Sequence, residues 1–493
     1  MSLVIYNTQT RQKETFTPIE PGTVKMYCCG VTVYDHCHLG HARSYITWDT
    51  ARRYLIWRGY NVQYVQNFTD IDDKILNRAV AEHCSMAEIS EKYIASYFED
   101  LRRLNVKDAD DYPRVTEHIP EICELIQILI DRDLAYASGG DVYYAVQRFP
   151  CYGKLSGRTE DQMQAGASGR VEAGSGATAS AGETNPSEPK KRHPFDFALW
   201  KAAKPGEPFW ESPWGQGRPG WHIECSAMIR SRLGDSIDIH GGGGDLVFPH
   251  HENEIAQSEG ATGKPLATYW THNGMVRVNG EKMSKSLGNF TTIRDLLETV
   301  DPMVIRLFIL QAQYRKPLDF TDEAIASATS GWQTFREGLT FGDRFGATLG
   351  WDGSTSVSPL PEIVDKFRSA MDDDFNASAA LAILFELAKD LRRAGNLLVH
   401  DEALTTPVTE LYHQWITLVA LAEVLGLTAA FTASCDDRDD PGLSDGAIET
   451  LIAQRQQARA DRDFAAADQI RDELKAQGVT LIDKPDGTVF VRD

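Results

Sequence analysis

The chain has 493 residues, 42% hydrophobic and 25% charged, which is enough for about three domains with apolar cores. No apolar run approaches the ~20 residues that cross a bilayer, the start lacks a secretory signal pattern, and the eight cysteines are too scattered for a disulfide scaffold. A cytoplasmic protein with reduced thiols is therefore expected. The net charge of −21 argues against a nucleic-acid partner, although it permits a local basic face.

The amino-terminal part of the chain alternates strand and helix patterns. Residues 24–28 are typical of a short buried strand, and residues 61–68 alternate apolar and polar side chains as a strand does. Between them, residues 42–58 carry apolar side chains at helical spacing, and Gly59 follows the predicted end of that helix. This order predicts a Rossmann-like parallel sheet, whose ligands bind at the carboxyl ends of the strands.

Two histidines lie between the first predicted strand and its helix, in the sequence His38-Leu39-Gly40-His41. Their imidazoles can donate hydrogen bonds to phosphate oxygens, and Gly40 lets the backbone approach an adenine ring closely. The pair is also compatible with two solvated imidazoles on the surface, so it needs a second motif to be informative.

A low-complexity segment interrupts the middle of the chain. Helices are predicted at 87–104 and 121–134 and a strand at 141–146. Residues 165–190 are then rich in glycine, alanine and serine and nearly devoid of large apolar side chains. Such a segment buries too little apolar surface to offset its ordering entropy. We predict a surface insertion within a connective region at about 110–215.

Four consecutive glycines, at positions 241–244, follow a strand predicted at 236–240. Because glycine has no side chain, a ligand can approach the backbone closely between this strand and the helix predicted at 250–260. Acidic residues accept hydrogen bonds from ribose hydroxyls in nucleotide-binding α/β folds, and Asp245 stands directly after the glycines. We predict that Gly243 and Asp245 contact ATP. A tight connection alone is the competing interpretation.

The loop after a strand predicted at 275–278 reads Lys-Met-Ser-Lys-Ser at 282–286. The ammonium groups of Lys282 and Lys285 can follow a polyphosphate leaving group, and the serines can donate to its oxygens. This loop and the upstream histidine pair resemble the two signatures of class I aminoacyl-tRNA synthetases. The resemblance implies that ATP, with Mg²⁺, activates a carboxylate, and that His38, His41, Lys282 and Lys285 are catalytic.

A second group of residues suits a metal ion. His250 and Glu254 lie four residues apart in a predicted helix and share a face, so they can bind one ion. His251 and Glu252 are predicted to point elsewhere.

Cysteines could complete this metal site. Cys225 offers one thiolate and the doublet Cys28-Cys29 offers others, and a Cys, Cys, His, Glu set suits tetrahedral Zn²⁺. A competing cluster consists of Cys28, Cys29, Cys37 and His38. It would occupy a histidine that is expected to bind phosphate, so the set that is spread along the chain is preferred.

The carboxyl-terminal part changes character. From about residue 318 to 427 the chain is predominantly helical, and residues 433–444 have the composition of a linker. Two helices are predicted within 448–476, with Asp463 as the cap of the second. Pro485-Asp486-Gly487 between strands at 479–482 and 488–491 predicts a hairpin.

Three segments resemble bacterial cysteinyl-tRNA synthetases. They are CGVTVYD at 29–35, GWHIECSAM at 220–228 and FPHHENE at 248–254. The resemblance runs from the first strand to the carboxyl-terminal module, interrupted chiefly by residues 165–190. It implies one zinc ion in the amino-acid pocket, held by Cys29, Cys225, His250 and Glu254. The chain departs from the family at Cys28, where one cysteine is expected instead of two, and in having leucine at 39 instead of isoleucine.

Zinc would explain how cysteine is distinguished from serine, which has nearly the same shape. A borderline-soft ion prefers thiolate to hydroxyl, and coordination of the substrate sulfur could reach the ~10⁴–10⁵ discrimination that otherwise requires editing. Thr69 and Trp221 lie beside these motifs and are candidates for contacting the amino acid.

Together these features predict an α/β chain of three parts. A Rossmann-like catalytic domain with the zinc site is expected at 1–317, a helical bundle at 318–432 and a small αβ module at 445–493 that recognises the tRNA anticodon. The implied reaction converts L-cysteine and ATP to cysteinyl-adenylate and passes cysteine to the 3′ end of tRNA(Cys), without a membrane and as a monomer.

Two alternatives remain open. A related ligase could pass activated cysteine to a small amino-sugar, but such relatives lack a carboxyl-terminal recognition module. The chain could also be a non-catalytic paralogue that binds only RNA or zinc. The intact histidine and lysine motifs argue against this alternative.

Overall fold

The computed structural model describes residues 2–158, 191–283, 289–351, 357–429, 445–461, 463–476, 479–484 and 487–492. The predicted insertion at 165–190, the predicted linker at 433–444 and residues 284–286 of the lysine-containing loop lie outside the described residues.

Within these ranges the strands are β1 Val4–Asn7, β2 Gln12–Thr15, β3 Thr23–Thr32, β4 Asn61–Thr69, β5 Ala135–Ser138, β6 Asp141–Tyr144, β7 Phe197–Ala202, β8 Gly217–Pro219, β9 Ile237–Gly243, β10 Ala267–Asn273, β11 Val276–Val278, β12 Glu281–Lys282, β13 Leu318–Phe320, β14 Val479–Lys484 and β15 Gly487–Arg492. The helices are α1 Leu39–Trp57, α2 Asp73–Glu82, α3 Met86–Arg103, α4 Ile119–Asp131, α5 Trp221–Leu233, α6 Glu252–Thr262, α7 Ile293–Leu296, α8 Pro302–Leu310, α9 Asp322–Leu339, α10 Phe341–Phe345, α11 Pro361–Asp372, α12 Ala377–Val399, α13 Val408–Val424, α14 Asp445–Ala460 and α15 Phe464–Ala476.

A four-stranded parallel sheet forms the centre of the amino-terminal region, in the strand order β10-β9-β3-β4. β3 and β4 are largely buried, as expected when helices cover both faces of a parallel sheet. The Rossmann-like prediction is confirmed. The predicted strand at 24–28 extends to Thr32, past an irregularity between Cys28 and Val31 where the pairing with β4 shifts.

The helix α1 follows β3 and is held in place by buried ion pairs. The Asp49 carboxylate pairs with the Arg53 guanidinium at 2.8 Å and with the guanidinium of Arg306 from α8, and all three side chains are buried. The backbone amide of Lys107 also donates to Asp49 at 3.0 Å. These bonds fix the helix whose first turn carries the histidine pair.

A second, antiparallel sheet with the order β5-β6-β7-β8 lies between β4 and α5 in the chain. It shares a core with α4 and α5 that includes Ile122, Trp200 and Ile223. The strand predicted at 141–146 is observed as β6, whereas β7, β8 and α5 were not predicted.

By their internal contacts the residues form two compact units, 1–392 with 407–430, and 393–406 with 431–493. In the first unit the strand β13 pairs in parallel with β11, and the helices α9 to α11, most of α12, and α13 follow. The predicted helical region is confirmed, although it begins at Asp322 because residues 318–320 extend a sheet.

In the second unit, α14 and α15 pack with β14 through a core of Ile448, Ile452, Leu474 and Val479. Asp463 accepts a hydrogen bond from the amide of Ala466 at 3.1 Å, as a helix cap does. β14 and β15 form the predicted hairpin, with residues 485 and 486 of its turn outside the described range.

Among the described helices, none combines the length and the hydropathy of a membrane span. The predicted domain limits at 1–317, 318–432 and 445–493 stay predictions.

Candidate active site

A cavity of about 350 Å³ opens at the carboxyl edge of the parallel sheet. The residues predicted to bind substrates or zinc that line it are Cys29, His38, Gly40, His41, Trp221, Gly243 and Asp245. The histidine pair and one predicted zinc ligand therefore face the same space, which has the size of a small-molecule site.

The histidine pair caps α1 with its own side chains. The amide of Gly40 donates to Nδ1 of His38 at 3.0 Å, and the amide of His38 donates to Nδ1 of His41 at 3.1 Å. Because each Nδ1 accepts a hydrogen bond, the proton of each neutral ring lies on Nε2. Both imidazoles are therefore set as Nε2–H donors, which is what a phosphate oxygen needs.

The two rings also stack, with centroids 3.7 Å apart. Burial, reinforced by the neighbouring His38, holds the pKa of His41 well below its ordinary value, so this ring is neutral at physiological pH. Gly40 is required by the stack: a Cβ there would lie 2.8 Å from Cε1 of His38. Glycine at this position thus leaves room for the His38 ring, in addition to its predicted role near the nucleotide.

The four predicted zinc ligands meet in a buried cluster. Sγ of Cys29 lies 3.9 Å from Sγ of Cys225 and 3.5 Å from Oε1 of Glu254, and Nε2 of His250 lies 3.0 Å from the same Oε1. One ligand atom from each residue lies within 4.8 Å of the others. Ligands of a tetrahedral zinc ion are about 3–4 Å apart, so the donor types and their spacing fit that ion.

Elements distant in sequence bring these ligands together. Cys29 lies in β3, Cys225 in α5 and Glu254 in α6. His250 belongs to a π-helical turn, Val247–His251, directly before α6. Within the described residues, the competing cluster of Cys28, Cys29, Cys37 and His38 does not form.

The same region contains a second possible donor set, Cys29, His240, His251 and Glu254. Nε2 of His251 lies 3.3 Å from Sγ of Cys29. The prediction that His251 points elsewhere is therefore wrong, because His251 stands three residues before Glu254, and residues three apart on a helix are neighbours just as residues four apart are.

Glu252, in contrast, points away from the metal cluster, as predicted. Its carboxylate accepts hydrogen bonds from the amides of Gly153 at 3.0 Å and Ser156 at 2.8 Å. It fixes a loop of the connective region to the start of α6.

The electrostatics favour deprotonation of two of the four donors, Cys225 and Glu254. Burial and the neighbouring Cys225, in contrast, hold the pKa of Cys29 well above its ordinary value, and Glu254 and Cys225 raise the pKa of His250 to about 10 against the effect of burial. A hydrogen bond from the Cys29 thiol lowers the pKa of Cys225 to about 6, against the effect of burial. Burial opposes ionisation of Glu254, but His240 and His250 together hold its pKa well below the ordinary value. A thiolate and a carboxylate are the forms that bind a cation.

The two predicted amino-acid contacts differ in position. The Trp221 ring lines the cavity and stacks on His250, with centroids 4.2 Å apart. Thr69 is buried and does not line the cavity; its hydroxyl donates to the Glu224 carboxylate at 3.1 Å. Trp221 is thus placed to meet a ligand, and Thr69 supports the wall behind it.

The glycine-rich segment ends at the cavity. Gly243 is the last residue of β9, and a Cβ there would lie 2.5 Å from Oδ1 of Asp245. Glycine therefore permits the turn that carries this carboxylate. Lys282 is the last residue of β12, and Lys285 lies outside the described residues.

Sequence reasoning missed a row of buried histidines behind the cluster. His240 Nε2 lies 2.8 Å from Oε2 of Glu254, and His251 Nδ1 lies 2.8 Å from Nε2 of His272, whose Nδ1 lies 2.8 Å from the hydroxyl of Thr8. The available signal was position: His240 stands at the carboxyl end of a predicted strand, where ligands gather.

Three family models match the chain. Residues 15–330 match "tRNA synthetases class I (C) catalytic domain", residues 366–430 match "DALR domain", and residues 440–492 match "Cysteinyl-tRNA ligase anticodon binding domain".

Several relatives carry the name Cysteine–tRNA ligase. Those of Trichormus variabilis and Nostoc sp. are each 65% identical over 500 residues, covering 100% of both chains. That of Gloeothece citriformis is 62% identical over 490 residues, covering 99% of each chain.

Solved structures share the fold. Mycobacterium tuberculosis methionyl-tRNA synthetase in complex with methionyl-adenylate is 16% identical, with a TM-score of 0.54, over 82% of this chain and 89% of that one. Agrobacterium radiobacter LeuRS, in a ternary complex with tRNA and LeuAMS, is 12% identical, with a TM-score of 0.56, over 84% and 85%. One family model matches more than half of the chain and relatives above 60% identity span nearly all of it, so the chain belongs to the cysteine–tRNA ligase family of class I aminoacyl-tRNA synthetases.

Proposed function

We propose that this chain activates L-cysteine with ATP and transfers the cysteinyl group to the 3′ end of tRNA(Cys). The observation that carries the proposal is a juxtaposition within one cavity. His38 and His41 line one side of the cavity. Each uses Nδ1 in the helix cap and keeps its proton on Nε2. Cys29 of a buried Cys, Cys, His, Glu cluster lies at another. A nucleotide and a thiol substrate could therefore meet there.

In the first step a carboxylate oxygen of cysteine attacks the α-phosphorus of ATP, the bond between the α- and β-phosphates breaks, and pyrophosphate leaves. His38 and His41 donate hydrogen bonds to phosphate oxygens through Nε2–H, because the Nδ1 atom of each ring accepts a hydrogen bond in the helix cap. Lys282 and Lys285 neutralise the charge that develops on the leaving group, and Mg²⁺ bound with ATP would supply further positive charge there. Asp245 accepts from the ribose hydroxyls.

Zinc would be held by Cys29, Cys225, His250 and Glu254. When bound, it would act as a borderline-soft Lewis acid with affinity for the substrate thiolate. Trp221 packs on His250 and so limits the space beside the cluster. A pocket that recognises sulfur in this way excludes serine, whose hydroxyl is a poor ligand for such a site.

This ligand set is preferred to the one with His240 and His251 for two reasons. It uses both buried cysteine thiols of the cluster, whereas the other leaves Cys225 outside the donor set. It also leaves His240 to hydrogen-bond the outer oxygen of Glu254, which is the usual arrangement behind a metal ligand.

The test measures cysteine-dependent pyrophosphate exchange into ATP, then acylation of tRNA(Cys). Exchange is expected with cysteine and not with serine, and the cysteinyl group is expected to pass to tRNA(Cys) but not to an amino-sugar acceptor. Absence of exchange would contradict the proposal, and transfer to the amino-sugar alone would support the alternative ligase.

We further propose that the enzyme acts as a cytoplasmic monomer and that residues 445–493 contact the tRNA anticodon.

A further inference from the structure

The segment that follows the lysine-containing loop pairs with the segment that carries the histidine pair. The amide of Ile293 donates to the carbonyl of Cys37 at 2.8 Å, and the amide of Leu39 donates to the carbonyl of Thr291 at 3.3 Å. An antiparallel bridge joins His38 to residue 292. The two segments therefore form one short two-stranded structure.

His38 itself takes part in this contact. The ring of Phe290 meets the His38 ring edge to face, with centroids 5.2 Å apart. The position of His38 thus depends on residues 290–293 as well as on its own helix cap.

Arg294 ties this two-stranded structure to helix α3. One guanidinium nitrogen of Arg294 lies 2.9 Å from the hydroxyl of Ser96, 3.0 Å from a carboxylate oxygen of Glu99 and 3.1 Å from Oδ1 of Asp100. Asp100 is fully buried, whereas the Glu99 side chain is 60% exposed, so Asp100 is the partner less screened by water. Burial raises the pKa of Asp100 to about 6, so its carboxyl is ionised at pH 8.

Ser96 bonds to residues that adjoin both segments of this structure. Its hydroxyl accepts from Arg294, in α7 directly after one of the paired segments, and lies 2.7 Å from Nδ1 of His36, directly before the other. The buried Ser96 hydroxyl on α3 therefore bonds to one residue shortly before the histidine pair and to one shortly after the lysine-containing loop.

We propose that Arg294, held by Ser96 and Asp100, is a positioning residue that fixes residues 290–293 against His38 and thereby sets the Nε2–H donors for the phosphates of ATP. The proposal rests on the function proposed above. Arg294 is not expected to touch substrate, so its loss should slow adenylate formation without altering the cysteine pocket. A displacement of about 1 Å in a catalytic group can cost on the order of 10² in rate.

The test compares Arg294→Ala with the wild-type enzyme in pyrophosphate exchange, with the KM for cysteine and the zinc content measured alongside. We expect kcat to fall by tenfold or more while the KM for cysteine and the zinc content stay within twofold. Arg294→Lys, which keeps the charge but loses the fork of donors, is expected to restore part of kcat.

The matched control is Arg230→Ala. Arg230 also pairs with two carboxylates, those of Glu124 at 3.1 Å and Asp235 at 3.6 Å, and its side chain is 35% exposed against 30% for Arg294. It lies on α5 away from the cavity lining, so kcat should not change.

A kcat for Arg294→Ala that matches the control would overturn the proposal, as would an equal loss of cysteine affinity and zinc. If Arg294→Ala does not fold, Ser96→Ala replaces it as the test, because that change removes the shared hydroxyl at small cost. A kcat lowered severalfold in Ser96→Ala supports the proposal, and an unchanged kcat refutes it. Cysteine-dependent exchange by the wild-type enzyme tests the proposed function separately.

Discussion

Replacing Cys225 by serine is expected to lower kcat/KM for cysteine in pyrophosphate exchange by about 10³-fold or more and to remove bound zinc, while ATP binding is retained. The serine hydroxyl is a poor zinc ligand, and discrimination by the metal is expected to supply most of the affinity for the substrate thiol. Cys29→Ser should behave in the same way, because its Sγ lies 3.9 Å from that of Cys225. Metal analysis and exchange kinetics measure both effects.

Cys28→Ser is the matched control. Cys28 neighbours Cys29 in β3 and is fully buried, but its thiol donates to the carbonyl of Cys29 at 3.7 Å and is not among the converging ligand atoms. The variant should keep zinc and exchange activity. Loss of zinc from Cys28→Ser together with retention by Cys225→Ser would contradict the ligand assignment.

Gly30→Ala is expected to destabilise the enzyme by about 3 kcal/mol or more and to weaken cysteine activation. A Cβ at Gly30 would lie 1.5 Å from the carbonyl oxygen of Asn67 in β4 and 2.7 Å from the carbonyl carbon, and backbone atoms cannot move aside as a flexible side chain can. The amide of Gly30 also donates to Oδ1 of Asn67 at 2.9 Å. Forcing β3 from β4 here would displace the adjacent Cys29.

Denaturant unfolding and the KM for cysteine measure this effect. Gly331→Ala is the control, because it lies inside α9 and its Cβ would meet its nearest neighbours at 3.5 Å or more. It should stabilise the enzyme by about 0.5–1 kcal/mol by restricting the unfolded chain. Equal stability of Gly30→Ala and the wild type would refute the close approach of β3 to β4.

Local patterns in the sequence were sufficient for much of the fold. β3, α1 and β4 appear close to their predicted positions, because α1 and β4 have clear periods, Gly59 follows the helix, and β3 is a short segment typical of a buried strand. The hairpin of β14 and β15 follows from turn residues between two short strands. These elements depend mainly on neighbouring residues, which a sequence displays directly.

Elements without such a period were missed. α5 is buried along most of its length, including His222, Glu224 and Ser226, so it lacks an apolar stripe beside a polar one. β7 and β8 owe their pairing to residues that are distant in the chain.

At the site, the residue types were predictable but their surroundings were not. The four ligands that were predicted from the resemblance to a family all meet in the buried cluster. The contacts of His240 with Glu254 and of His251 with His272 depend on the parallel pairing of β9 and β10. This pairing has no periodic signature in the sequence.

The most direct test of the cysteine pocket is the absorption spectrum of the enzyme with Co²⁺ in place of zinc. Thiolate ligands to Co²⁺ absorb in the near ultraviolet, so each added sulfur ligand increases that band. Cysteine is expected to increase the band in the wild-type enzyme, and serine is not. A spectrum that cysteine leaves unchanged, in an enzyme that still activates cysteine, would contradict recognition of the substrate through the metal.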